Sequence, residues 1–158
     1  TSGLNLNLRD RPGFTYGVKS KFAGRRGPGP FYVKAAVATD VAGAAIRETL
    51  HEIDRLRQEA PTDDEVRETQ DYMLGVFAYT LQTLREVGNR LEALVAYGLP
   101  ADYYETYPGV FAEVTPSQIL DVAQRHIHPE RLAIVACGPA DDLRPQLEPF
   151  GEVEIVRG

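Results

Sequence analysis

The chain of 158 residues has one cysteine, no run of basic residues and no long apolar segment. Cys137 stands alone, which excludes an internal disulfide, and its place in LAIVACG predicts a small buried residue more readily than a nucleophile. The formal charge is -6 and basic residues occur singly or in pairs, so we expect no nucleic-acid partner. No apolar stretch approaches the roughly 20 residues that a membrane-spanning helix needs, so we expect no membrane span. The compartment, cytoplasm or periplasm, stays open.

The length and the ordinary hydrophobic content of 43% suit one domain with a core of its own. We therefore predict a single domain over residues 1–158. Neither an internal repeat nor a low-complexity tract is evident.

Two runs of alternating apolar residues, 14–22 and 31–38, predict a pair of strands. They are joined by AGRRGPGP, which is too rich in Gly and Pro to extend a ladder and therefore predicts a long turn. In the second run Phe31, Val33 and Val37 share one face, and the neighbouring alanines suggest that a helix packs closely on the sheet.

A helical block follows, in which apolar residues recur at three- and four-residue steps. The first helix is predicted to begin near Thr39 or Asp40 and to end before Pro61. Its HEIDR segment begins with His51 and Glu52, which are predicted to lie on the helix surface. Thr62 and Glu65 form a capping box that begins a second helix.

Later signals divide the rest of the block. Gly88 is expected to bend or break the helical path, which stops at Gly98 and Pro100. A third start signal at Thr115 to Gln118 places Pro116 at the first helical position, and that helix runs to about residue 126.

The end of the chain returns to strands in our prediction. Residues 132–137 form a continuous apolar run of strand length, typical of a central strand buried on both faces, and a short strand is predicted near residues 153–156. Strand pair, helical block and returning strands together predict an α+β fold, with a mixed or antiparallel sheet and helices packed on one face.

The N-terminal stretch LNLNLRDRPGFTYGV carries the strongest functional signal. Leu4 and Leu8 lie four apart, as on a helix that ends before Pro12, and Arg9 precedes Tyr16 by seven positions across the corner into the first strand. A guanidinium beside a phenol can hold a backbone carbonyl and donate to an oxygen that becomes negative. On spacing alone, helix-end capping by the Arg and packing by the Tyr are the favoured explanation of the pair.

This stretch resembles the helix-to-strand junction in the non-zinc half of the pitrilysin/insulinase family of zinc metallopeptidases. The resemblance extends along nearly the whole chain, through TDDEV, YGLPADYY, EVTPSQI and LAIVACG in that order. It implies the LuxS-like layer sandwich of those metallopeptidases, and a C-terminal-type domain that here lacks its usual first strand and helix. Thr15 stands where some members have Gly before the Tyr.

The resemblance also implies a role. In that family an Arg and a Tyr reach the zinc site of another domain or subunit, hold the substrate backbone and stabilise the tetrahedral intermediate. Those roles fall on Arg9 and Tyr16, and the expected partners are a zinc-bearing catalytic domain or subunit and peptide substrates, in a homo- or hetero-oligomer. The alternative is a structural or interaction domain of the same fold with no proteolytic role.

We expect no metal in this chain itself, because the family's His-x-x-Glu-His arrangement is absent. His51 has no second histidine one turn away, and His126 and His128 lie two apart, which does not place them on one helix face. Zinc is expected in the partner domain. The tyrosines near YGLPADYY are explained by packing, with a substrate-chamber surface as the sharper alternative.

Overall fold

The structure is a computed structural model that describes the backbone of residues 15–156 and the side chains of residues 17–156. The fold is α+β, as predicted. These residues form two compact units. The hairpin unit contains residues 15–22, 31–55 and 127–156, and the helical unit contains residues 23–30 and 56–126. The prediction of one domain over the whole chain stays a prediction.

The hairpin unit begins with two antiparallel strands, β1 (Thr15–Phe22) and β2 (Phe31–Val37), as the alternating runs predict. Phe22 and Phe31 pair at the end of the ladder, with ring centroids 4.7 Å apart. Val18 on β1 is buried, and its face of the hairpin covers a helix alanine, as described below.

Helix α1 (Ala42–Gln58) follows β2 after a single 3-10 turn at Thr39–Val41, close to the predicted start. Its Ala45 packs against Val18, with Val33 and Val37 around them, so a small helix residue lets the helix approach the hairpin. The predicted close contact of helix and sheet is thus made by an alanine of the helix.

Helix α6 (Ala140–Leu147) was not predicted, and it packs at the N-terminal end of α1. Gln146 joins the two elements: its Oε1 accepts from the Gly43 backbone N–H at 3.0 Å, and its Nε2 donates to the Thr39 carbonyl at 2.8 Å. A Cβ on Gly43 would lie 3.0 Å from the Gln146 carbonyl oxygen, so the approach favours glycine.

Glu52 in the HEIDR segment is buried, with 6% of its surface exposed, so the prediction of a surface residue is wrong there. Glu52 lies seven residues after Ala45, two helical turns along the same face of α1. Its carboxylate pairs with the Arg55 guanidinium at 2.9 Å. His51, its neighbour, is exposed as predicted.

Residues 132–137 do not form the predicted central strand, and the predicted strand near residues 153–156 is absent as well. The part of the chain that the structure describes contains one ladder, between β1 and β2, and an apolar run becomes a strand only where a neighbour accepts and donates along its edge. Val135 is consequently 92% exposed. Cys137 is exposed too, contrary to prediction.

The helical unit contains the last turn of α1 and four further helices. These are α2 (Asp63–Thr80), α3 (Leu84–Tyr97), α4 (Tyr103–Ala112) and α5 (Pro116–His126). In the span from 15 to 156, no helix combines the length and the apolar character that crossing a membrane requires.

The start of α2 is the predicted capping box. The Thr62 hydroxyl accepts from the Glu65 backbone N–H at 3.2 Å, and the Glu65 carboxylate accepts from the Thr62 backbone N–H at 2.8 Å. At α5, Thr115 and Gln118 form the same reciprocal pair, with bonds of 3.4 and 2.8 Å. Both start signals in the sequence are confirmed.

The break between α2 and α3 falls at Leu81 and Gln82, not at Gly88 as predicted. Thr83 caps the new helix, since its hydroxyl accepts from the Glu86 backbone N–H at 3.3 Å, and α3 then runs straight through Gly88. The helix ends as predicted at Gly98, whose φ of 63° is the left-handed conformation that favours glycine.

Candidate functional site

The predicted Arg9 and Tyr16 pair is only partly within the described chain. Arg9 lies outside the described residues, and of Tyr16 the structure describes the backbone alone. Tyr16 is the second residue of β1, as the alternating pattern predicts. The contact between the guanidinium and the phenol therefore stays a prediction.

The backbone at Tyr16 departs from a regular ladder. Thr15 pairs with Val37 and Val18 pairs with Ala35, so β1 takes three steps where β2 takes two. The additional residue falls at Tyr16 or Gly17, which makes this a β-bulge. A bulge changes the direction of the side chains beside it, and bulges are common next to active sites.

The hairpin face opposite Val18 is basic. It carries Lys19, Lys21 and Lys34, all exposed, and Lys19 lies directly opposite Lys34 in the register. None of the three makes an ion pair with a carboxylate among residues 17–156. Like charges directly opposite each other are unfavourable, so the Lys19 and Lys34 pair costs the hairpin some stability.

The histidines do not come together as metal ligands. His51, His126 and His128 are all exposed, and His128 Nδ1 lies 3.4 Å from the Glu130 carboxylate. Over the described range, no group of three or more His, Cys, Asp or Glu side chains could hold a metal ion. The donor set of this part of the chain therefore does not fit a catalytic zinc.

An aromatic cavity of about 400 Å³ lies within the helical unit. It gathers tyrosines that the sequence places around YGLPADYY, with side chains from α2 and α3. The tyrosines at the cavity are Tyr97, Tyr103, Tyr104 and Tyr107. Tyr107 also lies near Phe77 of α2, with ring centroids 5.1 Å apart.

Arg90, the charged residue of this cavity, was not predicted as a site residue. Its guanidinium carbon lies 4.3 Å from the centroid of the Phe77 ring and 4.9 Å from that of Tyr104. One feature of the sequence could have indicated its burial. Arg90 lies three residues after Val87 and four before Leu94, which places it on the covered side of α3. An arginine on that side of a helix needs a partner.

Two comparisons with known proteins point to the same kind of domain. Residues 1–73 match the family model described as the peptidase M16 inactive domain. The crystal structure of a peptidase M16 inactive domain from Pseudomonas fluorescens shares the fold, with a TM-score of 0.74 and 21% identity over 81% of this chain. This chain spans 30% of the length of that one. No curated protein matches. The comparisons thus support the resemblance of residues 1–73 to the non-zinc, inactive domain of the peptidase M16, or pitrilysin-like, family, and the solved structure shows that the fold is the same.

Proposed function

We propose that the chain is the non-catalytic, substrate-gripping half of a pitrilysin-like zinc metalloendopeptidase. The partner domain or subunit supplies the zinc, and this chain supplies Arg9 and Tyr16. The observation that carries the proposal is the family match over residues 1–73, which includes both residues. The bulge at Tyr16 or Gly17 supports it, because it interrupts the regular ladder beside Tyr16, and bulges are common next to active sites.

The two side chains suit complementary tasks. The Arg9 guanidinium presents a planar fork of N–H donors, which can bind two acceptors of an extended peptide backbone at once. The Tyr16 hydroxyl donates one hydrogen bond to the oxygen that becomes negative as the peptide carbonyl turns tetrahedral. The zinc is expected in the partner, since the described residues of this chain do not fit one.

The first test is Tyr16→Phe in the protein assembled with its zinc-bearing half. Loss of one oxyanion donor typically lowers turnover about 100- to 1000-fold, so we expect kcat to fall in that range while the zinc content of the partner stays the same. Tyr72→Phe is the matched control, because Tyr72 is 70% exposed on α2. Full peptidase activity of Tyr16→Phe would remove the main support of the proposal.

Arg9→Lys tests the second role in the same assay. The substitution keeps the positive charge and removes the planar fork, so we expect both a higher KM and a lower kcat. Arg85→Lys on α3 controls for the change of residue type, since Arg85 is exposed. An unchanged KM with Arg9→Lys would contradict a role in holding the substrate backbone.

A structural or interaction domain without proteolytic function is the second candidate. An apolar stripe on α3 favours it: Leu84, Leu91 and Val95 are 93%, 58% and 84% exposed, and steps of seven and four residues place them on one face. If this candidate is right, substitution of the stripe disrupts assembly, and Tyr16→Phe leaves peptidase activity unchanged.

A further inference from the structure

The aromatic cavity of the helical unit has the size and lining of a small-molecule site. Its volume of about 400 Å³ lies within the range of about 300 to 1,000 Å³ that is usual for ligand pockets. Side chains of three helices form it, among them Met73 of α2, Tyr97 of α3 and Tyr104 of α4. Met73 and Tyr97 are 41% and 49% exposed, so the cavity opens to solvent on their side.

Arg90 is the one charged residue that lines this cavity. Its guanidinium donates to the Thr80 hydroxyl and lies over two aromatic rings, but it makes no ion pair with a carboxylate in residues 17–156. The side chain is half-buried rather than fully buried. Ring contacts offset part of what a half-buried guanidinium loses in hydration, but they leave its positive charge without a balancing carboxylate.

An anion in the cavity would complete this arrangement. A carboxylate accepts from a guanidinium in charge-assisted hydrogen bonds, and the rings of Phe77, Tyr104 and Tyr107 surround the same space with apolar surface. The hydroxyls of Tyr103, Tyr104 and Tyr107 make no hydrogen bond to another described residue, so they remain available to backbone amide groups. An alkyl chain would leave those hydroxyls unused.

We propose that this cavity binds the C-terminal residue of a peptide, with its apolar side chain among the rings and its α-carboxylate on Arg90. This is a second peptide site, and it does not depend on the roles of Arg9 and Tyr16. The site belongs to the helical unit alone, so it can be measured without zinc, a partner domain or peptidase activity.

The test is isothermal titration calorimetry on the full chain with two probes. One is the acetylated tripeptide alanyl-alanyl-leucine with a free carboxylate, and the other is the same peptide with a C-terminal amide. We expect the acid to bind at least about tenfold more tightly than the amide, since only the acid offers a charged acceptor. This comparison needs no variant, so it remains decisive even if a substitution in the cavity prevents folding.

Variants assign the preference to Arg90. Arg90→Gln is expected to abolish the difference between acid and amide, and Arg90→Lys to restore part of it. Arg85→Gln, an exposed arginine five residues earlier on α3, is expected to keep the whole difference. Equal binding of acid and amide, no binding of either at millimolar concentration, or tighter binding of dodecanoate than of the peptide acid would each overturn the proposal.

Discussion

Gln70 on α2 holds the C-terminal end of α4, and its removal gives the sharpest test of the helical unit. The Gln70 side-chain nitrogen lies 3.0 Å from each of three backbone carbonyl oxygens, those of Phe111, Ala112 and Val114. Three acceptors around one atom identify that atom as the amide nitrogen, because an oxygen there would meet only other oxygens. The Ala112 carbonyl at the end of α4 and the Val114 carbonyl beyond it thereby gain a donor, whereas the Phe111 carbonyl also accepts from the Val114 backbone N–H at 3.3 Å.

The magnitude follows from the number of donors. An amide nitrogen has two N–H groups, so two of the three bonds form at any time, and a hydrogen bond contributes about 0.5–1.5 kcal/mol net. Gln70→Ala should therefore destabilise the chain by about 2 kcal/mol. At roughly 2–4 °C per kcal/mol for a chain of this size, Tm falls by about 4–8 °C. Gln70→Glu should cost more at pH 7, because a carboxylate would face three carbonyl oxygens.

Thermal unfolding followed by circular dichroism measures these shifts. Gln82→Ala is the matched control, because Gln82 is an exposed glutamine of the turn between α2 and α3, and we expect it to move Tm by no more than about 1 °C. If Gln70→Ala changed Tm as little as the control, or if Gln70→Glu were as stable as the unaltered chain, the hydrogen bonds from Gln70 to the end of α4 would make no net contribution to stability.

Two further predictions concern stability in urea. Gly98→Ala should lower the free energy of unfolding by about 1 kcal/mol, because Gly98 has a φ of 63° and the cost is that of the backbone alone, with nothing near its Cβ position. Gly109→Ala inside α4 should instead raise the free energy of unfolding by about 0.5–1 kcal/mol. If both substitutions changed stability in the same direction, the backbone explanation would be refuted. Lys34→Glu should stabilise the hairpin by about 0.5 kcal/mol at low salt and by less at high salt, because position 34 lies opposite Lys19. Lys21→Glu is the control, because Lys21 lies opposite Tyr32, and it should not stabilise the hairpin. Equal effects of the two substitutions at every salt concentration would contradict this account.

The sequence predicts elements best where the cause is local. The caps at Thr62, Thr83 and Thr115 depend on residues three positions away, and the first and third of them were predicted. The cap at Thr83 was missed because the break between the two helices was assigned to Gly88, although Thr83 and Glu86 have the same spacing as Thr62 and Glu65. The spacing of Thr83 and Glu86 therefore indicates the residue at which α3 begins.

Features that depend on distant parts of the chain were not predictable in this way. The apolar character of residues 132–137 says nothing about whether a strand edge is available beside them, and in the described chain none is. Glu52 is buried although its neighbours in HEIDR include exposed charged residues, so its burial depends on parts of the chain outside that segment. Arg90 was missed for the same reason, since its rings come from α2 and α4, on either side of its own helix in the sequence.

Stability and binding are linked in the helical unit, because few of its side chains are buried. Between residues 56 and 126, all of them described, only Val66 and Ala123 are buried hydrophobic residues. The helices around the cavity are therefore stabilised by ring contacts, by Arg90 and by the hydrogen bonds of Gln70 more than by a dense core. A ligand that binds only the folded unit adds RT ln(1 + [L]/Kd) to the free energy of unfolding, which is about 2.7 kcal/mol at one hundred times Kd. A peptide acid at one hundred times its Kd would thus offset the loss of about 2 kcal/mol caused by Gln70→Ala, whereas an amide that binds tenfold more weakly would add only about 1.4 kcal/mol at the same concentration and offset the loss in part.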